Sequence, residues 1–345
     1  MLTITKTLLT ALAVVTGVAG CSSGTTTPAP TGSAPASSAQ SYTVPWVGAP
    51  DFANLRQTLK VDASVNGGTT SPFTVDTGSV GIVVPAAEVP DIPAGSPPGS
   101  LTYSSSGLEL TGVWATVPVR FPQAVNAAGA SVSAEATVPV LAVTSSKCLG
   151  SGVNSHNCTG EIPHMMGVGF GRGENRPPTY NPFLNLTEMA AGTMRRGYLI
   201  GRGGLSLGLT DANSTGAWTM QQLTTAGPPS QGAHNDWQTP TGGFKMGDRP
   251  ALSGKVLIDT GLLDMIVEGE GLPASGMVPR GTPITIDIGD LQYSFAVGDG
   301  GAQTPIGVHH ARAANGAFVN TGLRALGHYD LLFDADNGRL GLRPA

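Results

Sequence analysis

The chain has 345 residues, a formal net charge of −5 and only 12% charged residues, with 49 glycines and 27 prolines. This length allows two lobes with sizeable cores, and sparse charge without a basic run argues against a nucleic-acid-binding surface. Glycine and proline alternate with Val, Ile and Leu runs and show no repeat period, which predicts an all-β protein with many turns rather than a disordered one.

Residues 1–20 read as an export signal: Lys6 supplies the positive region, and residues 8–18 form an apolar core too short to span a bilayer. Val18-Ala19-Gly20-Cys21 matches the processing box of bacterial lipoproteins, in which Cys21 becomes the lipidated N-terminus. The alternative is an ordinary secretory signal with Cys21 incidental. No other apolar run reaches transmembrane length, so lipid on Cys21 is expected to attach the chain to the outer face of the cell membrane or envelope. Residues 21–44 are almost entirely Ser, Thr, Ala, Gly and Pro, without Lys or Arg, and predict a flexible tether.

Residues 59–65 alternate as a strand, Asn66-Gly67-Gly68 is a turn, and residues 72–75 lead back into Asp76. Asp76-Thr77-Gly78-Ser79 interrupts the apolar run 73–84. A lone carboxylate in such a run is costly to ionise unless hydrogen bonds hold it. Thr77 and Ser79 supply hydroxyls for that purpose, and Gly78 lets backbone approach closely. A Pro/Gly/Ser loop over 90–100 precedes two strand-like runs around a small-residue tip, 101–107 and 108–121, which predict a flexible hairpin carrying Tyr103. Further strand is expected over 132–143. Cys148 and Cys158 then flank a Gly/Ser/Asn loop; in an exported chain they read as a disulfide worth roughly 2–3 kcal/mol, with free thiols or metal ligands helped by His156 as the rival.

Ile162-Pro163-His164-Met165-Met166-Gly167 reads as an apolar strand ending in glycine, a short helix is expected around 186–191, and strands that close the first lobe are expected over 198–201 and 205–209. The first motif then returns as Asp259-Thr260-Gly261 within the run 256–267. Two buried Asp-Thr-Gly turns about half a chain apart suggest a duplicated lobe that places two carboxylates face to face. A hairpin is expected over 282–297 and another over 329–342, around Asn337-Gly338. The adjacent His309 and His310 are poorly arranged for chelation and read as a solvated turn. Asn157, Asn185 and Asn213 begin glycosylation sequons that a bacterial lipoprotein would rarely use.

These motifs together resemble the pepsin-like aspartic proteases, especially bacterial and mycobacterial members, over about residues 45–345. The resemblance implies an all-β, bilobal fold with a cleft between two pseudo-symmetric lobes, at 45–212 and 213–345. It implies Asp76 and Asp259 as the catalytic pair, steadied by Thr77, Gly78, Ser79, Thr260 and Gly261, and Tyr103 as the substrate-contacting tyrosine of a flap. It implies that residues 165–167 thread behind the first Asp-Thr-Gly loop. Three positions depart from the family pattern. Leu262 stands where a Ser or Thr hydroxyl usually steadies the second carboxylate, Val83 stands where many relatives have a Trp, and Asn320-Thr321-Gly322 replaces an apolar-apolar-Gly triplet. The tether also lacks the basic pro-segment of many relatives, so control by such a segment is not expected.

Two carboxyl groups at contact distance cannot both ionise, so one proton is shared and water is activated without metal or cofactor. The expected function is a lipid-anchored endopeptidase acting on exported or surface proteins, itself included, with no nucleic acid partner and as a monomer. The alternatives are an inactive pepsin-fold protein that binds surface partners, and a β-sandwich adhesin. The sequence contains no His-Glu-x-x-His.

Overall fold

A computed structural model describes residues 40–152, 155–172, 176–227, 234–313 and 316–345. The export signal, Cys21 and most of the tether lie outside the described residues. The tether's expected end moves back, because Tyr42–Val44 is a strand whose Tyr42 and Val44 are buried.

The first half builds a seven-stranded sheet in the order Lys60–Val65, Ser71–Asp76, Met165–Val168, Val80–Pro85, Ala134–Cys148, Leu108–Phe121, Pro98–Tyr103. It closes on itself where Ser64 and Val65 pair with Arg120 and Val119. Asn66 and Gly67 both have positive φ, 50° and 76°, the backbone that a tight hairpin turn between Lys60–Val65 and Ser71–Asp76 requires. Strand Met165–Val168 runs parallel to Ser71–Asp76 and antiparallel to Val80–Pro85, so it lies directly behind the first Asp-Thr-Gly loop. Glycine is required there: a Cβ on Gly167 would lie 2.8 Å from the Gly81 carbonyl oxygen.

The second half repeats this weave in an eight-stranded sheet. Strand Ala317–Asn320 runs parallel to Leu252–Leu257 and antiparallel to Met265–Gly269. Val308–Arg312 runs parallel to Met265–Gly269, as Ala134–Cys148 does to Val80–Pro85. Alternating burial along Pro283–Ile288 and Leu291–Ala296 matches a half-buried hairpin.

A third sheet of seven strands is shared by both halves. Arg195–Gly201 pairs with Gly204–Leu209 on one side and with Tyr329–Asp334 on the other, and Arg339–Pro344 and Thr219–Gln222 continue it. Strands expected to close the first lobe therefore sit at the centre of a common backplane. Phe170 stacks on Phe333 with ring centroids 4.2 Å apart, joining the cores of the two halves. Buried Arg324 adds a polar strut, donating to the carbonyls of Leu55, Gly301 and Ala302. The expected helix is one turn, Thr187–Ala190.

Candidate active site

Asp76 ends strand Ser71–Asp76 and Asp259 lies two residues beyond strand Leu252–Leu257, each strand being buried at the end that leads into its Asp-Thr-Gly, and the weave described above points the two loops at each other. The threonines join them. The Thr77 N–H donates to Thr260 Oγ1 and the Thr260 N–H donates to Thr77 Oγ1, both at 3.0 Å. Each hydroxyl in turn donates to a carbonyl across the interface, Thr77 to Ile258 and Thr260 to Val75. Both threonines are buried, so these four bonds satisfy groups that water cannot reach.

The glycines allow the final approach. A Cβ on Gly78 would lie 2.3 Å from Asp259 Oδ2, and one on Gly261 would lie 2.5 Å from Asp76 Oδ1. Asp76 and Asp259 are 4% and 8% exposed, and their carboxyl groups come within hydrogen-bond reach of each other. Asp76 Oδ1 accepts from the Gly78 N–H at 2.7 Å and Oδ2 from the Ser79 hydroxyl. Asp259 Oδ1 accepts from the Gly261 N–H at 2.8 Å, and Oδ2 from Asn320 Nδ2 at 2.6 Å. Burial first, then the charge of Asp259, pushes the Asp76 carboxyl up to about 8 against the pull of Ser79 and Gly78. Asp76 therefore keeps its proton to higher pH than an ordinary carboxyl group does.

A cleft of about 840 Å³ opens over the pair, lined by both loops, the hairpin tip at Tyr103 to Ser106 and the loop at Asn157 to Ile162. The Tyr103 hydroxyl is buried near Ser79 and Asp76 and has no hydrogen bond of good geometry among the described residues. Burial, and next the Asp76 charge, raises its ionisation well above the ordinary tyrosine value. Cys148 and Cys158 are joined by a disulfide. The loop it closes supports the hairpin tip: the Leu149 N–H donates to the Gly107 carbonyl at 2.9 Å, and Cys158 packs with Tyr103 against the small core of Leu101, Leu108 and Leu110. Val83 lies in the same core, where Trp114 from the neighbouring strand also packs.

Two sequence expectations change. The missing hydroxyl at Leu262 is replaced by Asn320, which had read only as a departure from pattern. The signal was a lone amide at the end of an apolar strand, and only the register placed it against Asp259. His309 and His310 form no solvated turn; they are half-buried in strand Val308–Arg312, with His309 Nε2 3.3 Å from Asp264 Oδ2. Among the described residues, no group of three or more His, Cys, Asp or Glu side chains is arranged to hold a metal ion.

The family model for the PE-PGRS C-terminal aspartyl peptidase-like domain matches residues 51–325. No curated protein matches the chain in sequence. Among solved structures, the crystal structure of aspartic proteinase from Irpex lacteus superposes with a TM-score of 0.56 at 16% identity, covering 88% of this chain and 97% of that one. At that identity the likeness is one of fold. The chain belongs to the PE-PGRS C-terminal aspartyl peptidase-like family, and its fold is that of the bilobal pepsin-like aspartic proteases.

Proposed function

We propose that the chain is an aspartic endopeptidase that hydrolyses peptide bonds of exported and surface proteins, its own chain included. The observation that carries this reading is the meeting of the Asp76 and Asp259 carboxyls at the floor of one cleft, with one acid raised far above its ordinary value. In such a pair the ionised acid takes a proton from a bound water, and the resulting hydroxide attacks the peptide carbonyl carbon. The protonated acid gives its proton to the carbonyl oxygen, where negative charge develops. Collapse of the tetrahedral intermediate returns one proton to an acid and delivers the other to the leaving amine, so the pair is regenerated. The reading is supported by the Thr77–Thr260 lattice, which fixes the two acids relative to each other, and by the Tyr103 hydroxyl, buried near Ser79 and Asp76 with no hydrogen bond of good geometry among the described residues.

Retention of both acids favours the enzyme over a pepsin-fold binding protein. The test is hydrolysis of a denatured protein and a peptide library by the wild type, by Asp76→Asn and by Asp259→Asn, with and without pepstatin. Cleavage that neither substitution nor inhibitor affects would rule the reading out. The proposed anchorage through lipid on Cys21, in a monomer held at the outer face of the membrane, is tested separately. Cys21→Ser should abolish acyl labelling and release the chain from the membrane fraction.

A further inference from the structure

The two acids are held by donors of different kinds. Asp259 Oδ2 meets the side-chain N–H of Asn320, a residue that is 6% exposed. The orientation of that amide is fixed, because its Oδ1 accepts the Gly322 N–H at 3.0 Å and a flipped amide would set two donors against each other. Its backbone is pinned on both sides, paired with Leu257 and with Ile266. A group that can donate and cannot accept is therefore aimed at one oxygen of Asp259. Such a donor stabilises a carboxylate more than a neutral acid, and it cannot accept a proton carried by that oxygen.

Asp76 Oδ2 meets the Ser79 hydroxyl, which donates or accepts by rotating. When that hydroxyl accepts, its own proton needs a destination. The Tyr103 oxygen, buried near Ser79 and otherwise unpartnered among the described residues, is placed to receive it.

We propose that Asn320 is a positioning residue that sets the charge order of the pair: its carboxamide holds Asp259 ionised, and the shared proton stays on Asp76. This rests on the proteolytic reading for its consequence, which is that Asp259 takes the proton from water and Asp76 protonates the carbonyl oxygen. Arg172, Arg176, Asp264 and Glu268 also line the cleft. Arg172 donates to the Gly78 carbonyl at 3.1 Å and lies over the Phe318 ring, and Asp264 pairs with His309. No hydrogen bond joins these four to either acid among the described residues, whereas Asn320 and Ser79 each touch one acid.

The experiment is a pH titration by NMR of isotopically labelled aspartate carboxyl carbons, assigned with Asp76→Asn and Asp259→Asn. It requires no turnover. With one proton on the pair, Asp259 should show the carboxylate shift and Asp76 the acid shift. In Asn320→Leu the Asp259 titration should rise by roughly one to two pH units. Leu262→Ser, which returns a hydroxyl three residues after Asp259, should bring it back in the double variant. Ionisation of Asp76 before Asp259, or an Asn320→Leu protein in which neither titration moves, overturns the assignment while leaving a catalytic pair in place. If Asn320→Leu does not fold, the order in the wild type decides. Two acids titrating independently near their ordinary values would overturn both the assignment and the proteolytic reading.

Discussion

The two halves solve one problem with different residues. In the first, Ser79 follows Asp76 by three positions and holds its outer oxygen, while Met165, on the strand behind the loop, lines the cleft. In the second, Leu262 occupies the position of Ser79, and Asn320 occupies that of Met165. Register fixes the second equivalence, since Met165 pairs with Thr74 and Asn320 with Leu257, each two residues before its aspartate. The donor has moved from the loop to the neighbouring strand. A duplicated fold therefore conserves the place where a hydrogen-bond donor must point, and not the chain position that supplies it. The change is not neutral, because a hydroxyl works in both directions and a carboxamide N–H in only one.

The largest effect should come from removing either acid. Asp76→Asn and Asp259→Asn are each expected to reduce hydrolysis by at least roughly 10³-fold, the scale of a lost proton-transfer group. The two should part in stability. The folded protein keeps the Asp76 proton to higher pH than the unfolded chain does, so this group's stabilising contribution is fully present below its ordinary value of 3.8 and is lost as pH rises through about 8. Asp76→Asn cannot ionise, so it should melt above the wild type at pH 8 and beyond, with the difference vanishing toward pH 4. Differential scanning calorimetry across pH measures this. An Asp76→Asn protein that melts below the wild type at every pH would show that the buried carboxyl carries no ionisation penalty.

Next come the two glycines that admit the opposite carboxyl. Gly78→Ala and Gly261→Ala each place a methyl group within 2.6 Å of carboxyl oxygens of the other half. Relief by roughly an ångström of separation is expected to lower kcat about 10²-fold. Because the clash is reciprocal, the two variants should behave alike, and unequal losses would reveal which half yields.

Much of this site was legible in the sequence, because its parts are local. An Asp-Thr-Gly inside an apolar run announces a buried carboxylate whatever surrounds it, and the hairpin runs announce themselves by alternation, as in Leu108–Phe121. What could not be read depends on partners far away in the chain. Nothing near Thr77 indicates that its hydroxyl will accept from the Thr260 N–H, since that bond exists only once two loops from different halves meet. In the sequence Asn320 reads as a flaw for the same reason, and the strands 198–201 and 205–209 read as parts of one lobe because a shared sheet leaves no local mark. Trp114 illustrates the point in reverse: the family position at Val83 lacks the ring, while a ring from the next strand packs into the same small core.

The halves also differ in what covers them. The first carries the Tyr103 hairpin, and its tip leans on the loop closed by Cys148 and Cys158. Replacing both cysteines by serine should lower stability by about 2–3 kcal/mol. Hydrogen exchange should accelerate at the Gly107 and Leu149 amides while amides of Leu252–Leu257 stay protected. Uniform acceleration across both sheets would mean that the disulfide serves the whole fold and not the hairpin.

The smallest effect sharpens the comparison most. If an amide on the strand behind the loop sets the ionisation of Asp259, then its counterpart, Met165→Asn, should give Asp76 a second donor. Ser79 already holds Oδ2, so the new bond competes for an oxygen in use, and the Asp76 titration should fall by less than about one pH unit. The change costs the contacts of a half-buried methionine, so a modest loss in melting temperature is expected as well. A fall in the Asp76 titration in Met165→Asn, with Asp259 rising in the matching Asn320→Leu, would show that this strand position governs charge in both halves. A fall in melting temperature without any movement of Asp76 would confine that role to the second half, where Gly322 orients the amide.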